Sequence, residues 1–440
     1  MQKMNPVRLP SLAALILLLC LPVQAAWADV VTVRSGIGTA WQRNRDTNEN
    51  TRYASLLTEV SYRSPTVELS LDMPLRWNAE KWELDRDIWS REGDPLRPVK
   101  TFLYRSPTGL WEAGLELLHS WTPGQGYLVR GLSGAGETDY ALPGFRFRWA
   151  GERTRIEAGV DRPVDPTVQA VAISYRLSDR VLLNLEGALD PGAPLSFAGT
   201  FENGRPKTDD TDPVAGSAAG LELVLREGRS MDISGGGHVG KLGDGAEGVG
   251  GDLSVSVDFS SYYRNRLQVK VASIQCRGGY VPAWFDGIYP VQRWGVDGQP
   301  LLALYPLDGT APDRQLDSME IRYDLGELFS LKGGIERFDD NSMSRARFDI
   351  GLREESGRGL EATIMSRVDG PDGVLFAVDS NLYSSASALY DLSPHLLLKL
   401  TFTHSWAFDE ELAGLDPLDP LAGLVPLNSA VLGLMYGISF

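Results

Sequence analysis

The residues best able to do chemistry in this chain are few and scattered. Four histidines stand at His119, His238, His395 and His404. A hydrolytic or metal-assisted centre needs imidazole, thiolate or carboxylate groups at ligand spacing. None of the four has such spacing with another His, Cys or carboxylate. GLSGAG at 131–136 puts Ala135 where the second glycine of a nucleophile elbow belongs. GGGHVGKL at 235–242 comes near a phosphate-binding loop through Gly235, Gly240 and Lys241, but Leu242 replaces the hydroxyl residue that would hold Mg²⁺. It reads as a glycine-rich hairpin, with glycines where strands bend. No Cys-x-x-Cys-His occurs, so the chain attaches no c-type haem itself. The expectation is a protein that is not an enzyme, with no cofactor, no metal site and no nucleic-acid partner.

The elements around these residues carry more. MQKMNPVRLPSLAALILLLCLPVQAAWADV opens with Lys3 and Arg8, an apolar run from Leu12 to Val23, and a small-x-small cleavage site at Ala26-Trp27-Ala28. That pattern is a secretory signal peptide, residues 1–28. Residues 29–440 form the mature chain. Losing Lys3 and Arg8 takes the net charge from −16 to −18. Cys276 is then the one cysteine left, so no intramolecular disulfide is expected. No further stretch approaches 18 apolar residues, so no transmembrane helix is expected.

Alternation with a period of two recurs across nearly the whole mature chain. TVELSLDMPLRW sets Val67, Leu69, Leu71, Met73, Leu75 and Trp77 against Glu68, Ser70, Asp72 and Arg76. GFRFRWA, SMEIRYDL, SRARFDIGLR and HLLLKLTFTHSW repeat the pattern. A soluble sheet turns its apolar face inward; a membrane barrel turns it to lipid and keeps a polar lumen. Aromatic rings at strand ends favour the membrane reading. Trp111 and Trp121 bracket one strand and Tyr53 and Tyr62 another, as interfacial rings do, and His119 and His404 fall near strand ends on the same side. Short turns such as RSP near 64, SPTG near 107 and GER near 152 alternate with long connections at 77–97, 122–141, 190–215, 276–315 and 408–427. Nine short turns, with a first and a last strand added, predict an all-β, transmembrane antiparallel up-and-down β-barrel of about twenty strands, within a range of 18–22. PLSFAGTFENG at 195–204 is either one more strand or part of a loop.

The last stretch, VLGLMYGISF, places Leu432, Leu434, Tyr436, Ile438 and Phe440 on one face. It resembles the C-terminal β-signal of Gram-negative outer-membrane proteins, and the whole mature chain resembles a porin-like barrel of that class. The resemblance implies an outer-membrane location, contact with membrane lipid, and recognition by the barrel-assembly machinery through Tyr436, Ile438 and Phe440.

Inward positions carry both signs of charge. The lumen is expected to be lined by Arg76, Arg146, Arg148, Arg155, Glu157, Glu320, Arg322, Asp324, Arg345, Arg347, Asp349, Arg353 and Lys399. Arg345, Arg347 and Arg353 with Arg322 make the best anion-attracting strip. The connection 276–315 is too aromatic for water, holding Tyr280, Trp284, Phe285, Tyr289, Trp294 and Tyr305. It is expected to fold into the mouth as a constriction or lid, with the leucine-rich 408–427 over it. The favoured function is a passive channel for ions or small hydrophilic solutes. The alternative is a barrel sheathing a periplasmic or extracellular haem protein, as in porin–cytochrome conduits.

Overall fold

The computed structural model describes residues 30–44, 50–85, 94–118, 121–132, 142–164, 166–196, 201–202, 205–206, 208, 210–228, 230–260, 265–286, 289, 293, 300–326, 328–353, 359–369, 375–376, 382–393, 395–408 and 424–439. The expected signal peptide, Trp294, Phe440 and most of 408–427 lie outside these residues.

Twenty strands form one antiparallel sheet, from Val30–Asn44 to Leu424–Ser439, and those two strands pair with each other. Thr32 faces Ser439 and Asn44 faces Leu427 across that closing ladder, so the barrel has no free edge. Each strand pairs with its neighbours in chain order, as in an up-and-down meander. Among the described residues no helix is long and apolar enough to cross a membrane.

The predicted alternation sets the two faces. Ile37 is 74% exposed, Val249 60% and Tyr390 54%, on the outside of the barrel. Phe102, Phe145, Ile173, Leu221, Val271, Ile321, Phe348 and Leu434 share that exposed apolar face. Their neighbours one residue away point inward and are charged, small or buried. With a side-chain period of two, every strand is fixed in its inside-out register. The result is a closed antiparallel barrel with an apolar outer face and charged side chains among its inward positions.

The turns fall where the sequence places them at 64–66, 106–110 and 151–153. Among the described residues the segment 195–204 adds no barrel strand: Phe201–Glu202 pairs with Arg205–Pro206 in a small two-stranded sheet of its own. Three aromatic expectations need correction. Tyr53 points inward, with the Arg76 guanidinium 4.5 Å from its ring centroid. Trp121 is 7% exposed and belongs to an interior cluster; its strand ends at Glu116. His404 is 2% exposed, its Nδ1 2.7 Å from Asn428 Oδ1, rather than an open interfacial ring. A ring at a strand end has the same sequence signature whether it meets headgroups or an infolded loop.

The main apolar core lies inside the barrel. It joins Leu118, Trp121, Tyr127, Leu128, Val129 and Leu132 of one connection to Tyr280, Val281, Trp284, Phe285, Tyr289 and Tyr305 of another. Inward residues Ala188, Val214, Ala218, Leu242, Ile274, Leu316 and Phe338 complete it.

Candidate functional site

Two connections enter the lumen and are bound to one side of its wall. Residues 121–132 and 278–313 meet each other through a short parallel pairing, Phe285 with Val129 and Asp286 with Arg130. Tyr280, Trp284, Phe285 and Tyr289 are at most 1% exposed and Tyr305 is 4%. Five of the six aromatics named in 276–315 are thus buried inside the barrel. Among the described residues this connection packs against 121–132, which brings Trp121 and Tyr127 to it.

Buried charge ties the loops down. The Glu186 carboxylate, on strand Val181–Pro194, accepts four successive backbone N–H groups: Gln125 at 2.7 Å, Gly126 at 3.0 Å, Tyr127 at 2.9 Å and Leu128 at 3.1 Å. Glu157 accepts the Gly124 N–H at 3.1 Å. Such charge-assisted bonds to consecutive amides hold a loop in one conformation. Four residues on, Asp190 accepts the Tyr289 hydroxyl at 2.7 Å and pairs with Arg293 at 3.1 Å. Arg345 donates to the Pro282 and Ala283 carbonyls at 2.6 and 2.8 Å and pairs with Glu336 at 2.6 Å. Arg130 reaches the same Glu336 from the other loop. Arg347 donates to Gly131 O at 3.1 Å and bonds Asp349 through two nitrogens.

Small residues on the wall receive the rings. A β-carbon at Gly240 or Gly248 would overlap the Tyr280 ring, and one at Gly220 would overlap Tyr127. The glycines of GGGHVGKL are thus not bend points. They lie within the unbroken strand Met231–Leu242, whose inward Gly240 makes room for the loop. Burial pushes the phenols of Tyr127, Tyr280 and Tyr289 up, so they stay protonated, and the Asp190 charge adds to the effect at Tyr289.

The predicted lumen charges mostly hold one another. Arg76 pairs with Asp85, Arg146 with Glu112 and Glu116, Arg155 with Glu157, and Arg322 with Asp324. Arg148 lies 4.0 Å from Glu112, Glu320 pairs with Lys332, and Lys399 shares Asp72 with Lys100. The expected strip divides. The Arg345 side chain is 8% exposed and serves the loop, whereas the Arg322 side chain is 54% exposed. The Arg353 side chain lies outside the described residues. Tyr436 and Ile438 are 54% and 41% exposed on the outer face.

No family model matches the chain, and no curated protein matches it. Solved structures do. The crystal structure of Pseudomonas aeruginosa OccK11 (OpdR) aligns over 94% of this chain and 96% of its own, at 12% identity and TM-score 0.34. Pseudomonas aeruginosa OpdL aligns over 94% and 99%, at 8% identity and TM-score 0.35. Pseudomonas aeruginosa OccK5 (OpdH) gives 94% and 98%, at 8% and 0.35. The chemistry of the lumen stands on this chain's own residues.

Beneath the two loops is a cavity of about 410 Å³. Tyr127, Arg130 and Asp286 border it on the loop side, and His238, Asp252, Lys270, Glu320, Arg322, Lys332 and Arg345 on the wall. Charged groups of both signs therefore border this space inside the barrel.

Proposed function

We propose that the chain is a passive outer-membrane channel for ions or small hydrophilic solutes, with the connection 276–315 as its constriction. What carries the reading is the loop pair 121–132 and 278–313, tied by Glu186, Asp190 and Arg345 against one side of a charged lumen. A channel needs a narrowed but polar passage, and an anchored loop inside a charged wall is a means of making one. The exposed apolar belt supports placement in a membrane, and the N-terminal apolar run and C-terminal alternation support the outer one. A sheath for a haem protein would need the space that the chain's own loops occupy, so the channel is the better reading. Lipid on the outer face and the barrel-assembly machinery at Tyr436 and Ile438 are its expected partners, with Phe440 completing the signal.

Conductance of the purified mature barrel in planar bilayers tests this. Steady ohmic steps are the expected result. Silence from a heat-modifiable, folded sample would overturn it, and co-purification of a haem-staining protein would then favour the sheath.

A further inference from the structure

One ion pair reaches across the lumen at the closing seam. Lys399 Nζ, on strand Leu396–Phe408, is 3.4 Å from Asp72 Oδ2, on strand Val67–Asn78. Three strands, Leu424–Ser439, Val30–Asn44 and Asn50–Arg63, separate the two in the sheet. Adjacent strands lie about 4.8 Å apart, so about 19 Å of wall runs between the paired residues. A lysine with its four-carbon stem and an aspartate with a single carbon close a much shorter gap. The wall must therefore fold inward at the seam for this pair to form. The strands that anchor the loops, from Val181–Pro194 to Met343–Arg353, lie on the other side of the ring.

The residues inside the fold fit it. Ile37 and Leu434 point outward, so Gly36, Gly38, Gly433 and Gly437 face the lumen on the two seam strands. Leu57 leans across them: a β-carbon on Gly433 would overlap its Cδ1, and one on Gly38 would press on the same atom. Leu57, Leu397 and Met435 form one small apolar cluster, 8%, 8% and 1% exposed. That cluster joins strand Asn50–Arg63 to strand Leu396–Phe408, although the two do not pair. Lys399 stands two residues from Leu397, and Asp72 two residues from Pro74, which pairs with Leu57. The ion pair thus closes the edge of the cluster. Asp72 also holds Lys100 at 2.7 Å, so it keeps a cation if Lys399 is lost.

We propose that the Lys399–Asp72 pair is a strut that sets the size limit of the channel. It holds the wall folded at the closing seam, shuts that side of the lumen to solutes, and confines transit to the side bordered by the loops. The proposal rests on the channel reading and names the residues by which solutes are selected for size.

The test records single-channel currents of the full mature barrel in neutral polyethylene glycols of graded size. The largest polymer that lowers the current measures the opening without reference to charge. Lys399→Met keeps the stem, removes the ammonium and leaves Asp72 with Lys100. It is expected to raise the conductance and to shift the polymer limit upward, while Lys399→Arg keeps both near their wild-type values. An unchanged polymer limit in folded, heat-modifiable Lys399→Met overturns the strut. A shifted reversal potential at an unchanged limit overturns it too, because Lys399 then acts as a charge alone. If no current flows at all, the channel reading fails separately. In that case, or if Lys399→Met does not fold, zero-length cross-linking of the detergent-solubilised barrel decides the strut. A carbodiimide condenses the Asp72 carboxylate with the Lys399 amine to an amide, the reagent taking up the water lost. Lys100→Arg removes the competing amine. A link between the Asp72 and Lys399 peptides by mass spectrometry is expected. Its absence, while Lys332 and Glu320 at 3.2 Å do couple, overturns the inward fold at the seam.

Discussion

The Tyr280 ring occupies the space that a β-carbon on Gly240 would fill. Gly240 and Gly248 face the same ring from neighbouring strands, so the loop sits in a socket made by two missing side chains. Gly240 lies in regular strand and needs no unusual backbone, which leaves space as the reason for glycine there. Gly240→Leu is therefore expected to unseat Tyr280 while leaving strand pairing intact. Single-channel conductance should rise, with heat-modifiable mobility unchanged; equal conductance would show that the loop does not narrow the path.

Glu186 holds four backbone N–H groups, and removing it leaves buried donors without an acceptor. Each unsatisfied donor costs about 1–3 kcal/mol. Glu186→Ala is expected to release 121–132 from the wall. Arg130, half-buried beside Glu336, should then become more readily cleaved by trypsin in the folded barrel. Unchanged resistance at Arg130 would place the anchor elsewhere.

Arg322 and Arg345 separate selectivity from architecture. The Arg322 side chain is half exposed in the lumen, beside Asp324 at 2.7 Å. The Arg345 guanidinium is buried between two loop carbonyls and Glu336. Arg322→Glu is expected to lower the anion/cation permeability ratio with little change in conductance. Arg345→Glu should put two carboxylates together under the loop and change the conductance itself. Reversal potentials in a salt gradient read the first effect and step sizes the second. The same response from both variants would sink the distinction.

The barrel was legible because period-two alternation leaves one solution once both faces are assigned. The aromatic density of 276–315 also declared a buried loop. Where that loop lands was not legible. Gly240 and Tyr280 are forty positions apart, and glycine in a strand signals a bend as readily as a socket. Glu186 was readable as an inward carboxylate, but its partners are backbone amides, which have no sequence signature. Trp121 and Tyr53 went astray for a related reason. A ring at a strand end fits headgroups, a lumen cation or an infolded loop equally well, and only the three-dimensional neighbours choose. The division between Arg345 and Arg322 likewise depends on which inward residues the loops cover.

The outer face offers a test of both membrane depth and assembly. Ile37 is 74% exposed on the closing strand and pairs with Leu434 and Leu56, well inside both ladders. Tyr436 is equally outward but pairs with Leu396, beside the short turn that ends the barrel there. A lysine facing lipid costs about 2–4 kcal/mol at mid-bilayer and about 0–1 kcal/mol near the interface. Ile37→Lys should thus lower the stability of barrels refolded into vesicles, measured by urea titration, by about 2–4 kcal/mol. Tyr436→Lys should be nearly neutral in that assay. In cells the order should reverse if Tyr436 is read by the assembly machinery. Tyr436→Lys would then deplete folded barrel from the outer membrane despite its normal stability in vitro. Normal cellular assembly of Tyr436→Lys would mean that the ring serves lipid alone.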